Sequence, residues 1–139
     1  MKELYTAKAT CKGGRKGCVK TDDGVLSLAM CMAGEHSDCK SEKCTNPEQL
    51  FACAYSACFL SAVNLILQKE RLPYNDTKVD IYVHLNENEK HHFLSVDMDV
   101  YIPGVEKTKA EKALQLANEI CPYSKAIHNN VMVKLKLVE

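Results

Sequence analysis

TNPEQLFACAYSACFLSAVNLILQKE, residues 45–70, decides how this chain folds. Thr45 or Asn46 offers a side-chain oxygen for an N-cap, Pro47 suits the first helical position, and Glu48 favours the positive end of the helix dipole. The helix is expected to run to about residue 69 or 71, with Pro73 beyond its end. Apolar residues occupy nearly every side of it: Leu50, Phe51, Ala52, Cys53, Ala54, Ala57, Cys58, Phe59, Leu60, Ala62, Val63, Leu65, Ile66 and Leu67. Such a helix is buried all round. One sheet in a chain of 139 residues has difficulty covering it, and the small residues Ala52, Cys53, Ala54, Ser56 and Ala57 permit close approach of a second helix. A homodimer is the favoured expectation, and a central core helix in a monomer the alternative.

Working outward, residues 4–12, 16–20 and 25–30 read as a three-stranded meander, broken at Gly13-Gly14 and at Asp22-Asp23-Gly24. Residues 33–43 are polar and read as a surface loop. Beyond the long helix, Val79, Ile81, Val83 and Leu85 alternate with polar neighbours, as do Leu94, Val96, Met98, Val100 and Ile102. Both runs have the period of half-buried strands. Residues 106–120 place Ala110, Ala113, Leu114, Ala117 and Ile120 on one helical face, and Pro122 ends the helix. Val131, Val133, Leu135 and Leu137 make a last strand. The expected class is α+β, a single domain over 1–139 with antiparallel sheet and two helices.

Charge is balanced, 18 basic against 18 acidic residues, with no basic tail, so nucleic acid is an unfavoured partner. The longest uninterrupted apolar run is residues 50–55, far short of a membrane span. MKELYTAKAT, residues 1–10, has no apolar core for a secretory signal. A cytoplasmic location is the expectation, and there thiols stay reduced unless they are catalytic or bind metal.

Against that background 8 cysteines is a high count. No C-x-x-C occurs, so a zinc ribbon or thioredoxin-type site lacks its basic unit. Cys58 lies within the apolar helix and Cys121 at the boundary CPYS. A thiol in a dry site and a thiol on a joint suggest redox chemistry. Burial raises a thiol's pKa, so a reactive Cys58 needs a nearby cation. Arg15, between the glycines of GGRKG, is the favoured one, with Glu48 as its carboxylate partner. Ten residues separate Glu48 from Cys58, roughly 15 Å along a regular helix. One guanidinium does not easily reach both. Either two antiparallel helices cross near Cys53 or the helix breaks near Ser56, and a site composed from two chains is expected.

At these residues the chain resembles the Ohr/OsmC family, and within it the organic hydroperoxide resistance subgroup. GGRKG with DDGVLSLAM, TNPEQLFACAYSACFLSA, and CPYSKAIHNN carry the resemblance, which covers almost the whole chain. It implies an OsmC-like fold, an intertwined homodimer with packed central helices, and active sites at the subunit interface. It also implies a thiol-dependent peroxidase acting on organic hydroperoxides, fatty-acid hydroperoxides included. Cys58 then matches the peroxidatic cysteine, Cys121 the resolving cysteine, Arg15 the activating arginine and Glu48 its partner. Phe51, Phe59 and Leu60 are the apolar residues expected to accept an alkyl chain. The implied reductant is a dithiol such as dihydrolipoamide or a lipoylated protein, with neither cofactor nor metal. Two departures stand out: AGEHSDCKSEKC replaces the family's glycine-rich loop, and His128-Asn129-Asn130 replaces its Arg-Gly-Asn. Asparagine tolerates left-handed backbone, so that turn can persist.

Two rival readings use other residues. His36, Cys39 and Cys44, with Cys18 or Cys31, offer ligands for a metal-binding or redox-sensing module, without a signature spacing. A dimeric module holding a lipid in its apolar pocket is the other. Cys53 reads as packing, and His91-His92 as a solvated loop.

Overall fold

The computed structural model describes residues 1–32, 35 and 43–139. They fall into two compact units, Met1–Leu50 and Phe51–Glu139.

The first unit contains β1 (Ala9–Lys12), a single 3-10 turn (Gly14–Lys16), β2 (Cys18–Thr21) and β3 (Ser27–Ala29). They form an antiparallel sheet in the order β1-β2-β3, with Cys11 opposite Val19 and Val19 opposite Leu28. This is the expected meander with shorter strands; Leu4 and Tyr5 are exposed outside β1. Asp23 closes the second turn by accepting from the Thr21 hydroxyl at 2.6 Å and the Val25 N–H at 3.0 Å. Beyond β3 the chain is stitched to the residues that precede the long helix. Met30 bridges Thr45 in parallel, Cys31 N–H donates to Thr45 O at 2.8 Å, and Thr45 N–H donates to Ala29 O at 2.9 Å.

The long helix, α1 (Pro47–Lys69), is continuous, so no break occurs near Ser56. Asn46 is its N-cap, its Oδ1 accepting from Gln49 N–H at 2.8 Å. At the other end Arg71 adopts a left-handed conformation (φ 55) and Leu72 N–H bonds back to Leu67 O at 2.9 Å, a helix-ending pattern.

The second unit is built on the remainder of α1. β4 (Lys78–Glu87) and β5 (His92–Tyr101) form the expected hairpin, with Val83 opposite Val96 and Ile81 opposite Met98. α2 (Lys107–Ile120), α3 (Pro122–Ile127) and β6 (Met132–Val138) follow. The sheet order is β4-β5-β6, and β6 lies parallel to β5. That parallel pairing accompanies the helical connection between the two strands. Glu106 caps α2, accepting from Thr108 and Lys109 N–H. Pro122 does end α2, and it also opens α3, a short third helix not expected from the sequence.

One core fills this unit. Val96, Met98 and Val100 of β5 meet Ala110, Ala113, Leu114 and Ala117 of α2 and Tyr55, Phe59, Val63 and Leu67 of α1. Only one side of α1 takes part: Cys53, Ala57, Ser61 and Leu65, on its other side, are exposed. Among the described residues α1 is the one helix long and apolar enough to cross a membrane by length and composition, and its buried side is part of this core.

Candidate active site

Cys58 and Cys121 meet within one chain. Cys58 stands on α1 at the edge between its buried and open sides, half-buried. Cys121, fully buried, ends α2 and serves as the N-terminal cap position of α3. The two free thiols lie 3.6 Å apart, the Cys121 thiol donating to Cys58 Sγ. Burial pushes the Cys58 thiol up; the Tyr123 backbone N–H acts the other way, and the Cys121 thiol adds to the rise. Burial of this kind disfavours the thiolate, and a nearby positive charge favours it.

An aromatic cluster flanks the pair. Tyr55 stacks on Tyr123 with centroids 5.9 Å apart, and Phe51 touches both rings at 5.7 and 6.3 Å. Phe59 is fully buried, edge-on to Tyr55 at 6.2 Å. Phe51 and Leu60 are partly buried against the same core. Tyr55 and Ser124 were missed from the sequence: Tyr55 reads there as another apolar helix residue, and Ser124 as part of a boundary.

In the first unit, Arg15 and Glu48 form a bidentate pair at 2.6 and 2.8 Å. GGRKG has a local reason for its glycines. Gly13 is left-handed (φ 77), and a Cβ on Gly17 would collide with the Lys12 carbonyl. That lets the chain turn tightly from β1 into β2 and present Arg15 on the 3-10 turn. Glu48 sits in the first turn of α1, as its place after Pro47 requires. The pairing holds the Glu48 carboxyl below its ordinary value and raises Arg15 above its own. Arg15 Nη1 also lies 3.9 Å from Met32 Sδ. Arginine and glutamate are thus joined within one chain.

The remaining cysteines behave differently. Cys31 and Cys44 form a disulfide, and Cys18 is also disulfide-bonded. Cys11 and Cys53 are free and exposed. Two of the cysteines offered as metal ligands are therefore consumed by one another, and no cluster suited to a metal occurs among the described residues. His36 and Cys39 lie outside the described residues. Asn129 takes the left-handed conformation (φ 59) expected where the family has glycine.

Fold and thiols together define an α+β protein with a closely placed dithiol. The chain belongs to the OsmC-like protein family, whose match covers residues 40–136. The organic hydroperoxide resistance protein OhrA of Bacillus subtilis (strain 168) is 41% identical over 138 residues, 98% of this chain and 97% of its own. The crystal structure of OhrB from Bacillus subtilis superposes with a TM-score of 0.87 at 36% identity, covering 98% of this chain and 100% of that one. An organic hydroperoxide resistance protein structure from Legionella pneumophila gives 0.87 at 39% identity, over 99% of this chain and 100% of its own.

Proposed function

We propose that this protein is a thiol-dependent peroxidase that reduces organic hydroperoxides, fatty-acid hydroperoxides among them, to alcohols. The 3.6 Å approach of Cys58 to Cys121 carries the reading. The Cys58 thiolate attacks the distal peroxide oxygen, the O–O bond breaks, and the alcohol leaves with a proton. A sulfenic acid remains on Cys58. Cys121 condenses with it to a disulfide, releasing water. An external dithiol such as dihydrolipoamide, free or on a lipoylated protein, restores both thiols by exchange.

Arg15, oriented by Glu48, is the cation that favours the Cys58 thiolate. The burial that pushes this thiol up is the reason one is needed. Phe51, Phe59 and Leu60 favour an alkyl chain over a small polar peroxide. We read the working unit as a homodimer in the cytoplasm. The exposed Cys53, Ala57, Ser61 and Leu65 on one side of α1 support close approach of a second α1. With a continuous helix, the 15 Å or so between Glu48 and Cys58 is best reconciled by a site composed from two chains.

Peroxide consumption with dihydrolipoamide as reductant tests the reading. Cumene hydroperoxide should be turned over faster than hydrogen peroxide. Cys121→Ser should complete one turnover and then over-oxidise at Cys58. An active Cys58→Ser variant would sink the mechanism.

A further inference from the structure

Beside the thiols lies a second polar contact between the same two segments. Tyr55 is fully buried, 0% exposed, and Ser124 is buried too, at 6%. Their hydroxyl oxygens lie 2.8 Å apart. A buried hydroxyl without a partner is costly, so each satisfies the other, and no buried side-chain oxygen or nitrogen is left unpaired among the described residues.

The spacing is the informative part. Tyr55 stands three residues before Cys58 on α1, and Ser124 three residues after Cys121. Tyr55 and Cys58, three apart within α1, share a face, while Cys121 is the N-cap of α3 and Ser124 the third residue of that helix. α1 and the start of α3 are therefore joined by two rungs, Tyr55–Ser124 and Cys58–Cys121. Beside them the Tyr123 ring stacks on Tyr55, with centroids 5.9 Å apart. α3 has 6 residues and no side-chain cap at its start, too short to hold a fixed position without tertiary contacts.

We infer that Tyr55, acting through Ser124, is the positioning residue that holds Cys121 against Cys58 for disulfide closure. The inference rests on the peroxidase reading above. In the step concerned, the Cys121 sulfur attacks the sulfenic sulfur of Cys58. The S–S bond forms, the S–O bond breaks, and the hydroxide leaves as water with the thiol proton. Cys121 sulfur is oxidised and Cys58 sulfur reduced. The sulfurs must close from 3.6 Å to about 2.05 Å, the disulfide length. An intramolecular step of this kind is fast only while the partners stay within reach. A second hydroperoxide competes for the sulfenic acid and gives the irreversible sulfinic acid. The hydroxyl rung therefore sets the partition between a recyclable disulfide and a dead enzyme, without touching peroxide.

Rapid-mixing kinetics on Tyr55→Phe, Ser124→Ala and the double variant test this. Oxidation of Cys58 by cumene hydroperoxide should keep its rate in all three. Disulfide closure should slow by roughly three- to tenfold, and the sulfinic fraction found by mass spectrometry should rise with peroxide concentration. The double variant should be no slower than the worse single one, and Ser124→Thr should restore closure. Closure and sulfinic yield unchanged in Tyr55→Phe would overturn the inference, as would a lowered melting temperature with both steps intact. Should Tyr55→Phe not fold, Ser124→Ala against Ser124→Thr decides by the same readouts. Diamide-driven closure of the same thiols separates the two readings. A parent protein that consumes no hydroperoxide loses the peroxidase assignment, while slower diamide closure in Tyr55→Phe still supports the positioning role and equal closure overturns it.

Discussion

Cys31 and Cys44 close a short loop, 13 residues apart, beside the backbone bridge from Met30 to Thr45. Cys58 and Cys121 meet across 63 residues, reduced, between a helix and the first turn of another. Backbone hydrogen bonds already hold the first pair together, and its disulfide adds a staple to a joint that exists without it. The second pair has no strand pairing at its sulfurs; a tyrosine–serine rung and a stack of rings keep it close. A cysteine pair suited to cycling is one that side chains bring near, leaving the bond itself to form and break. One suited to stapling has its ends fixed by backbone.

The sharpest way to break that comparison is to remove one cysteine from each pair. Cys58→Ser should lower hydroperoxide turnover by at least about 10³-fold, whereas Cys31→Ser should leave it within a few-fold in a steady-state assay. Equal losses from both would show that the two pairs share one task.

Stability should rank them the other way. Loss of the Cys31–Cys44 closure, by Cys31→Ser or by reduction, should cost about 3 kcal/mol in denaturant unfolding, as chain entropy gives for a loop of this length. Cys121→Ser, conservative in size and starting from free thiols, should cost less. The result also bears on location. In a reducing compartment the staple would be open, so thiol labelling of Cys31 in freshly lysed cells reports whether it operates there.

How far these pairs could be read beforehand differs for physical reasons. Cys58 and Cys121 were singled out by the resemblance carried on TNPEQLFACAYSACFLSA and CPYSKAIHNN, since a cysteine in an apolar helix is by itself most often packing. The helix bounds were legible from local pattern, Asn46-Pro47 at one end and the residues before Pro73 at the other. The alternation of β4 and β5 and the apolar face of α2 were legible on the same terms. The parallel direction of β6 was not: alternation gives a strand its faces but not its neighbour's direction. Pro122 signals both a helix end and a helix start, and only the second role reveals α3. The Tyr55–Ser124 rung joins residues 69 apart, which no periodicity marks. The Cys31–Cys44 disulfide was obscured by the expectation of a reducing compartment.

The charged pair in the first unit extends the comparison to the cation. If Arg15 activates Cys58, Arg15→Ala should lower turnover about 10- to 100-fold, the range for a charge-assisted hydrogen bond. The pH profile should move with it. Burial, with the Cys121 thiol adding to it, holds the Cys58 thiol high, so alkylation of Cys58 in Arg15→Ala should require more alkaline solution than in the parent. An unshifted profile would remove Arg15 from the activation step.

The smallest effect concerns Glu48, and its sign is fixed by the direction of the shift. Arg15 holds the Glu48 carboxyl below its ordinary value of 4.5. The folded state therefore binds this proton less readily than the unfolded chain. The resulting stability is fully present above pH 4.5, where the unfolded carboxyl is ionised, and is lost as pH falls through the lower folded value. Arg15 is 42% exposed in its side chain, so solvent screening keeps the contribution to roughly 1 kcal/mol or less. Glu48→Gln should match the parent's acid sensitivity except in that window, where the parent alone loses its extra increment. Urea unfolding of the two proteins at pH 7 and pH 3 measures it. A constant difference between them at both pH values would mean that the carboxylate's charge, as distinct from its shape, contributes nothing to holding Arg15.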